Sequence, residues 1–282
     1  MKKKISLIAL DMDGTLFDGS SRISSENQHA ILSAHNAGIE IAVSTGRPCA
    51  GLPAELLTDI GIRFAITSNG AAIYRLADKK CLAQDCMPPE LVCPILRELQ
   101  KKELHMDAFI DGGCFSQLSC KPLIDRLAVP ESVRTYIKET RTFVEDLAAF
   151  ISAQKLAVQK MTLQFLPLPD GTMQEREAVK DILSKCPDIT FLSGGFRNLE
   201  FTKKGVTKGM GLKHLCTLLD IPLEETLACG DSENDLDILK TAAIGVAMAN
   251  ADDCVREAAD FITRSNEESG VAFAIRHFTG LI

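Results

Sequence analysis

Two kinds of segment alternate near both ends of the chain. Residues 5–10, 39–43 and 64–67 are short apolar runs rich in β-branched side chains. Each is too short for a helix and lacks strict polar alternation, the pattern of strands buried on both faces of a parallel sheet. Between the first two, residues 25–37 set Ala30, Ile31, Ala34 and His35 at helical spacing, with Ser24-Ser25-Glu26 before them and Gly38 after. Strand, helix, strand is the repeating unit of a doubly wound sheet. The alternation returns late in the chain. Helices are expected over 208–219, 234–241, 253–258 and 269–278, and strands over 226–229, 244–247 and 261–263.

The middle follows another pattern. Residues 88–102 read as a helix, and apolar runs at 104–110 and 114–118 flank Asp111-Gly112-Gly113, a hairpin signal. Helices are expected over 130–138 and 144–153, a strand over 159–166, a helix over 173–184 and two strands around Gly194-Gly195. Hairpins mixed with helices indicate an α+β module with an antiparallel sheet. The expected fold is therefore α/β: a Rossmann-like, doubly wound, mostly parallel sheet from residues 1–83 and 196–282, with an α+β domain inserted over 84–195.

Composition narrows the function classes. Across 282 residues, 46% are hydrophobic and 24% charged, an ordinary globular balance with room for two domains. The formal charge of −7 argues against broad nucleic-acid binding, which needs a clustered basic surface. It leaves an anionic substrate open, because local cations can reverse the field inside one cleft. The run after Met1-Lys2-Lys3-Lys4 is broken by Asp11 and Asp13, far short of a signal-peptide core. No stretch approaches the roughly 20 apolar residues of a membrane helix. A cytoplasmic protein without membrane partners is expected. The ten cysteines form no C-x-x-C pair, so reduced, mostly buried thiols are expected. The five histidines show no metal-ligand spacing.

Four polar clusters follow predicted strands or open helices. The first is Asp11-Met12-Asp13-Gly14-Thr15-Leu16, just past the first strand, where open α/β sheets bind ligands. A carboxylate can attack phosphorus and split hydrolysis into two steps, and an acid two residues on can protonate the leaving oxygen and later activate water. A D-x-D-G string also occurs in plain turns and calcium loops. An EF-hand would need a third Asp or Asn before its Gly and a later Glu, which are missing. The second cluster, Ser44-Thr45-Gly46-Arg47-Pro48, offers a hydroxyl and a glycine amide at an expected helix start, with Pro48 in its first turn. Arg47 there either grips substrate or pairs with a nearby acid. Third, Lys208 opens a helix, where it either neutralises a phosphoryl oxygen or is a solvated basic end. Fourth is Gly230-Asp231-Ser232-Glu233-Asn234-Asp235. Magnesium favours oxygen ligands, so Asp231 suits direct ligation, Asp235 an orienting role and Asn234 donation to phosphate. The conjunction supplies a full inventory for phosphoryl transfer.

The order DxDGT, STGR, Lys and GDSEND resembles the four motifs of the haloacid dehalogenase-like superfamily, in particular its Cof-type phosphatases. Thr67-Ser68-Asn69-Gly70-Ala71 and Gly205-Val206-Thr207-Lys208-Gly209 are similar to that branch as well, and the middle module resembles its type IIB α/β cap. The resemblance implies Asp11 as nucleophile and metal ligand, and Asp13 as general acid/base that also binds Mg2+ through its backbone carbonyl. It implies phosphate contacts from the Met12 amide, Thr45, Gly46, Lys208 and Asn234, with Asp231 completing the metal ligands. It also implies small phosphorylated metabolites, sugar phosphates above all, as substrates. A phosphomutase and a non-catalytic phosphometabolite-binding protein are the alternatives. A monomer or weak homo-oligomer is expected. His105, Asp111, Phe115, Arg197 and Asn198 are candidates for substrate contact from the inserted module.

Overall fold

The computed structural model describes residues 4–281; the lysine-rich start at 1–3 lies outside them. By internal contacts the chain forms two units, one running to Ala83 and resuming at Thr207, the other spanning Gln84–Val206.

The first part of the larger unit carries strands β1 (Leu7–Leu10), β2 (Glu40–Ser44), β3 (Phe64–Thr67), β4 (Ala72–Arg75) and β5 (Lys80–Gln84), with helices α1 (Ser25–Asn36) and α2 (Ala54–Asp59). The smaller unit follows with β6 (Leu104–Ile110), β7 (Gly113–Gln117), β8 (Thr142–Val144), β9 (Lys160–Phe165), β10 (Ile189–Ser193) and β11 (Leu199–Lys203). Its helices are α3 (Pro89–Leu99), α4 (Glu131–Thr140), α5 (Leu147–Gln154) and α6 (Arg176–Ser184). The chain then completes the larger unit with α7 (Lys208–Leu219), β12 (Thr226–Gly230), α8 (Leu236–Thr241), β13 (Ile244–Ala247), α9 (Asp253–Ala258), β14 (Phe261–Ile262) and α10 (Gly270–Thr279).

The larger sheet has the order β14-β13-β12-β1-β2-β3-β4-β5. β1 pairs in parallel with both β2 and β12, and parallel pairing extends to β3 on one side and to β13 and β14 on the other. β1, β3, β12 and β13 are buried at every position, which is why they read as unbroken apolar runs. Ser24 caps α1 by accepting from the Asn27 N–H, and the buried Asn27 accepts from Ala272 N–H at 2.9 Å, tying α1 to α10. With β2 and β12 flanking β1, three strand ends meet where the strand order reverses, the usual ligand position of such sheets.

One local expectation is corrected, and one edge of the sheet goes beyond what was expected. After β2 the chain forms no helix at Pro48, only a three-residue 3-10 turn, Cys49–Gly51. Leu52 stays extended ahead of Pro53, whose ring disfavours helical geometry in the preceding residue, and α2 begins only at Ala54. β4 runs antiparallel to β3 and, with β5, extends the sheet at one edge. β5 is half-exposed and polar, so no periodicity announced it.

The smaller sheet has the order β10-β11-β9-β6-β7-β8 and is mixed rather than purely antiparallel, because β7 pairs with β8 in parallel. Between them residues 118–141 make a 3-10 stretch and α4, a crossover long enough for parallel pairing. Met106, Ala108, Met161, Leu163, Leu199 and Phe201 from one face share a separate apolar core with α3, α5 and α6. The sequence boundary at 195/196 falls in the turn Gly195–Arg197, and β11 beyond it pairs with β9 and β10 inside the smaller sheet.

Candidate active site

The loop after β1 turns sharply at Gly14, where φ is +84°. A Cβ there would stand 2.4 Å from Asp231 Oδ2, so only glycine lets the loop come this close to the one after β12. The Thr15 hydroxyl donates to Asp231 Oδ1 at 2.7 Å, and Asn250, past β13, donates its amide to the Gly14 carbonyl at 2.8 Å. After β12, Ser232 and Asp235 form a capping box. Asp235 Oδ2 accepts the N–H groups of Asp231 and Ser232 at 3.0 and 3.1 Å, so its carboxylate shapes the loop that carries Asp231.

Lys208 reaches this place from the first turn of α7. Thr207 caps that helix by accepting from Met210 N–H at 3.1 Å, and its hydroxyl also donates to Asp237. Gly70, at φ +101°, presses against the helix start: a Cβ would lie 1.9 Å from the Thr207 carbonyl oxygen. The buried Lys208 ammonium donates to Asp11 Oδ1 and to Asp235 Oδ1, each at 2.6 Å.

The electrostatics are unbalanced. Carboxylate oxygens of Asp11, Asp231 and Asp235 lie within 4.8 Å of one another, against the single ammonium of Lys208. Burial, with Asp235 and Asp231 nearby, raises Asp11 well above the ordinary carboxylate range despite Lys208. Asp231 is raised to about 6, first by burial and then by Asp235, with the Thr15 hydroxyl opposing. Burial alone would lower the Lys208 ammonium, but Asp11 and Asp235 outweigh it and hold it raised. Among the described residues, Asp11 Oδ2 and Asp231 Oδ2 accept no hydrogen bond, while both oxygens of Asp235 are engaged. Surplus negative charge around these carboxylates, with Asp231 Oδ2 open, fits an oxygen-preferring divalent cation and leaves Asp11 Oδ2 free.

The predicted residues fall into two groups. Asp11, Lys208, Asp231 and Asp235 meet directly. Asp13 does not join them: its side chain is 57% exposed and turns to Arg47, whose Nε donates to Asp13 Oδ2 at 2.9 Å and whose Nη2 donates to Oδ1. Of the two options for Arg47, the structure has the acid pair. The buried Thr45 accepts from Arg47 N–H through its hydroxyl at 3.2 Å, and its carbonyl accepts from Asn69 N–H at 3.1 Å. Ser68 N–H donates to the Arg47 carbonyl at 3.0 Å, so the loop after β3 braces the loop after β2. Gly46 is half-buried, and the Met12 side chain is wholly buried, leaving its backbone to the loop. Asn234 Oδ1 accepts from the Ser232 hydroxyl at 2.9 Å.

Thr15 lay inside the first cluster with no role of its own assigned, and Asn250 lay outside all four clusters. Asn250 follows a third strand end of the same sheet, a signal that was present but unused. Of the candidates in the smaller unit, His105 is buried and paired with Asp107 at 3.0 Å, and Phe115 stacks on Phe150 with centroids 5.2 Å apart. Asp111 is an exposed left-handed turn residue, Arg197 donates to the Gly171 carbonyl at 2.6 Å, and Asn198 Oδ1 is buried without a partner. None of the ten cysteines forms a disulfide, six are buried, and no helix among the described residues is long and apolar enough to cross a membrane.

Comparison with known proteins gives a family. The family model described as haloacid dehalogenase-like hydrolase matches residues 8–275. Phosphatase YwpJ of Bacillus subtilis is 30% identical over 285 residues, covering 97% of this chain and 99% of the relative. From the same organism, 5-amino-6-(5-phospho-D-ribitylamino)uracil phosphatase YcsE is 31% identical, covering 97% of this chain and 96% of the relative. Among solved structures, the subclass IIB sugar phosphatase BT4131 superposes with a TM-score of 0.78 at 28% identity, covering 97% of this chain and 99% of that one. A haloacid dehalogenase-like hydrolase from B. subtilis gives 0.81 at 29% identity, with coverage of 97% and 99%.

Proposed function

The chain belongs to the haloacid dehalogenase-like hydrolases and is a phosphatase of their Cof-type, subclass IIB branch, and on that premise we propose that it hydrolyses a sugar or sugar-alcohol phosphate through an aspartyl-phosphate on Asp11. One observation carries this reading. Asp11 is buried with Oδ1 fixed by Lys208 and Oδ2 accepting nothing, which is how a carboxylate nucleophile is aimed. The substrate class is supported by the relatives, one acting on a ribitylamino phosphate and another described as a sugar phosphatase.

In the first step Asp11 Oδ2 forms a bond to phosphorus as the bond from phosphorus to the alcohol oxygen breaks. Asp13, two residues on, gives that oxygen a proton and leaves it as the alcohol. In the second step Asp13 takes a proton from water, whose oxygen attacks phosphorus and frees the Asp11 carboxylate and inorganic phosphate. Lys208, Thr45, the Gly46 and Met12 amides and the Asn234 amide hold the phosphoryl oxygens. Asp11, Asp231 and the Asp13 backbone carbonyl would hold Mg2+, with Asp235 orienting the loop. When bound, the ion supplies positive charge that lets a dianionic phosphate approach the carboxylates.

Asp11→Asn is isosteric and keeps an acceptor for Lys208, so the fold should persist. Release of inorganic phosphate from a panel of sugar and sugar-alcohol phosphates should drop by at least 10³-fold. Turnover by the Asn variant at the parental rate would remove Asp11 from the nucleophile's role.

A further inference from the structure

We propose that Arg47 is a positioning residue for the Asp13 carboxyl, with the Phe17 ring as the platform that fixes the guanidinium. The proposal rests on the phosphatase reading above and assigns a task to a residue that makes no bond to the reacting atoms. The guanidinium meets Asp13 at two points, Nε on Oδ2 and Nη2 on Oδ1, which fixes the plane of the carboxylate as well as its distance. An ordinary surface ion pair contributes little and orients nothing. This pair differs in how its cationic half is held.

The guanidinium carbon sits 5.7 Å from the centroid of Phe17, a ring that is only 3% exposed. The Arg47 backbone is pinned on both sides: its N–H donates to the Thr45 hydroxyl at 3.2 Å, and its carbonyl accepts from Ser68 N–H at 3.0 Å. Asp13 and Phe17 are themselves bridged through the backbone. Phe17 N–H donates to the Met12 carbonyl at 2.8 Å, so the platform and the carboxyl belong to one turn. Asp13 by contrast is more than half exposed and has no other side-chain partner among the described residues. Without Arg47 its carboxyl would sample several rotamers in water, and a misplaced acid gives little catalysis.

The test separates proton transfer from phosphate binding. kcat/KM reports the steps up to loss of the leaving group, so it is measured in the magnesium-loaded enzyme on two substrates. p-Nitrophenyl phosphate has a leaving group that needs no proton; an alkyl phosphate has one that does. Arg47→Ala should lower kcat/KM on the alkyl phosphate at least thirtyfold and on p-nitrophenyl phosphate less than threefold, and inhibition by inorganic phosphate should stay within threefold. Arg47→Lys keeps the charge but not the two-point fork and should remain within threefold of the Ala variant. Phe17→Leu, which removes the platform alone, should show the same selectivity on a smaller scale. In an Asp13→Asn background, Arg47→Ala should add no further selectivity. Equal losses on both substrates, weakened phosphate inhibition or full rescue by Lys would overturn the positioning role. An Asp13→Asn variant with no leaving-group selectivity would instead count against Asp13 as the acid, and so against the function proposed above.

Discussion

Asp231 accepts the Thr15 hydroxyl through one oxygen and leaves the other open, beside Asp11 and Asp235. With its folded value at about 6 against an ordinary 3.8, the carboxyl is protonated in both folded and unfolded chains below pH 3.8 and costs nothing there. As pH rises through the interval to about 6, the unfolded chain ionises first, and the cation-free fold loses stability. At about 1.4 kcal/mol per pH unit the full loss is on the order of 1–3 kcal/mol at neutral pH. Asp231→Asn keeps the acceptor for Thr15 and removes the charge. In urea unfolding of the cation-free protein it should be more stable than the parent by about that amount at pH 7.5, with no difference at pH 3.5. A variant less stable than the parent at pH 7.5 would show that Asp231 is structural rather than held at a cost for function. The Thr15 contact to Asp231 and the Asn250 contact to the Gly14 carbonyl were hidden in the sequence because each is one hydrogen bond between loops distant in the chain rather than any local pattern.

The helices and strands differ in how plainly they announce themselves. β1, β2, β3, β12 and β13 were legible because burial on both faces demands continuous apolar runs. β5 and the 3-10 stretch Leu118–Arg126 were not, because their contacts are polar or made at a distance in sequence, whereas α4 in the same crossover lies where a helix was expected at 130–138. That crossover is held by Arg141, just past α4, whose Nε and Nη2 donate to Asp107 Oδ2 on β6 at 3.0 and 2.9 Å. Asp107 also accepts from Ser116 on β7 and pairs with His105. Burial works against ionising Asp107, but Arg141 and His105 outweigh it and hold the carboxyl below its ordinary range. The stability it contributes is therefore complete above about pH 4 and is lost as pH falls below that. Asp107→Asn leaves a buried guanidinium without its counter-charge and should cost roughly 3–5 kcal/mol at pH 7. Chemical unfolding followed across pH should show the gap to the parent narrowing in acid; a gap of constant size would remove the ion pair from the explanation.

At the scale of the molecule, the two units have separate apolar cores, one around β1 and β12 and one around β6 and β9. A cation that binds the folded Asp11–Asp231 site stabilises only what contains that site, by about 2.7 kcal/mol at a hundredfold excess over Kd. Adding Mg2+ to EDTA-treated protein should restore phosphatase activity and raise hydrogen-exchange protection in β1 and β12, leaving β6 and β9 as they were. Full activity after EDTA treatment, or protection rising equally in both sheets, would count against the cation site.

The sequence by itself determined the fold class, the order of the motifs and the chemistry those motifs can perform. Apolar runs, glycines at sharp turns and acids at strand ends are local properties, set by burial and backbone sterics. What the tertiary structure decided was pairing. Lys208 lies 197 residues from Asp11 and 27 from Asp235, yet one ammonium serves both carboxylates. Arg47 faced two readings in the sequence, and only the folded loops, braced by Ser68 and Asn69, turned it to Asp13. Such choices depend on which charges come within reach of one another, and that happens only once distant strand ends have been brought side by side.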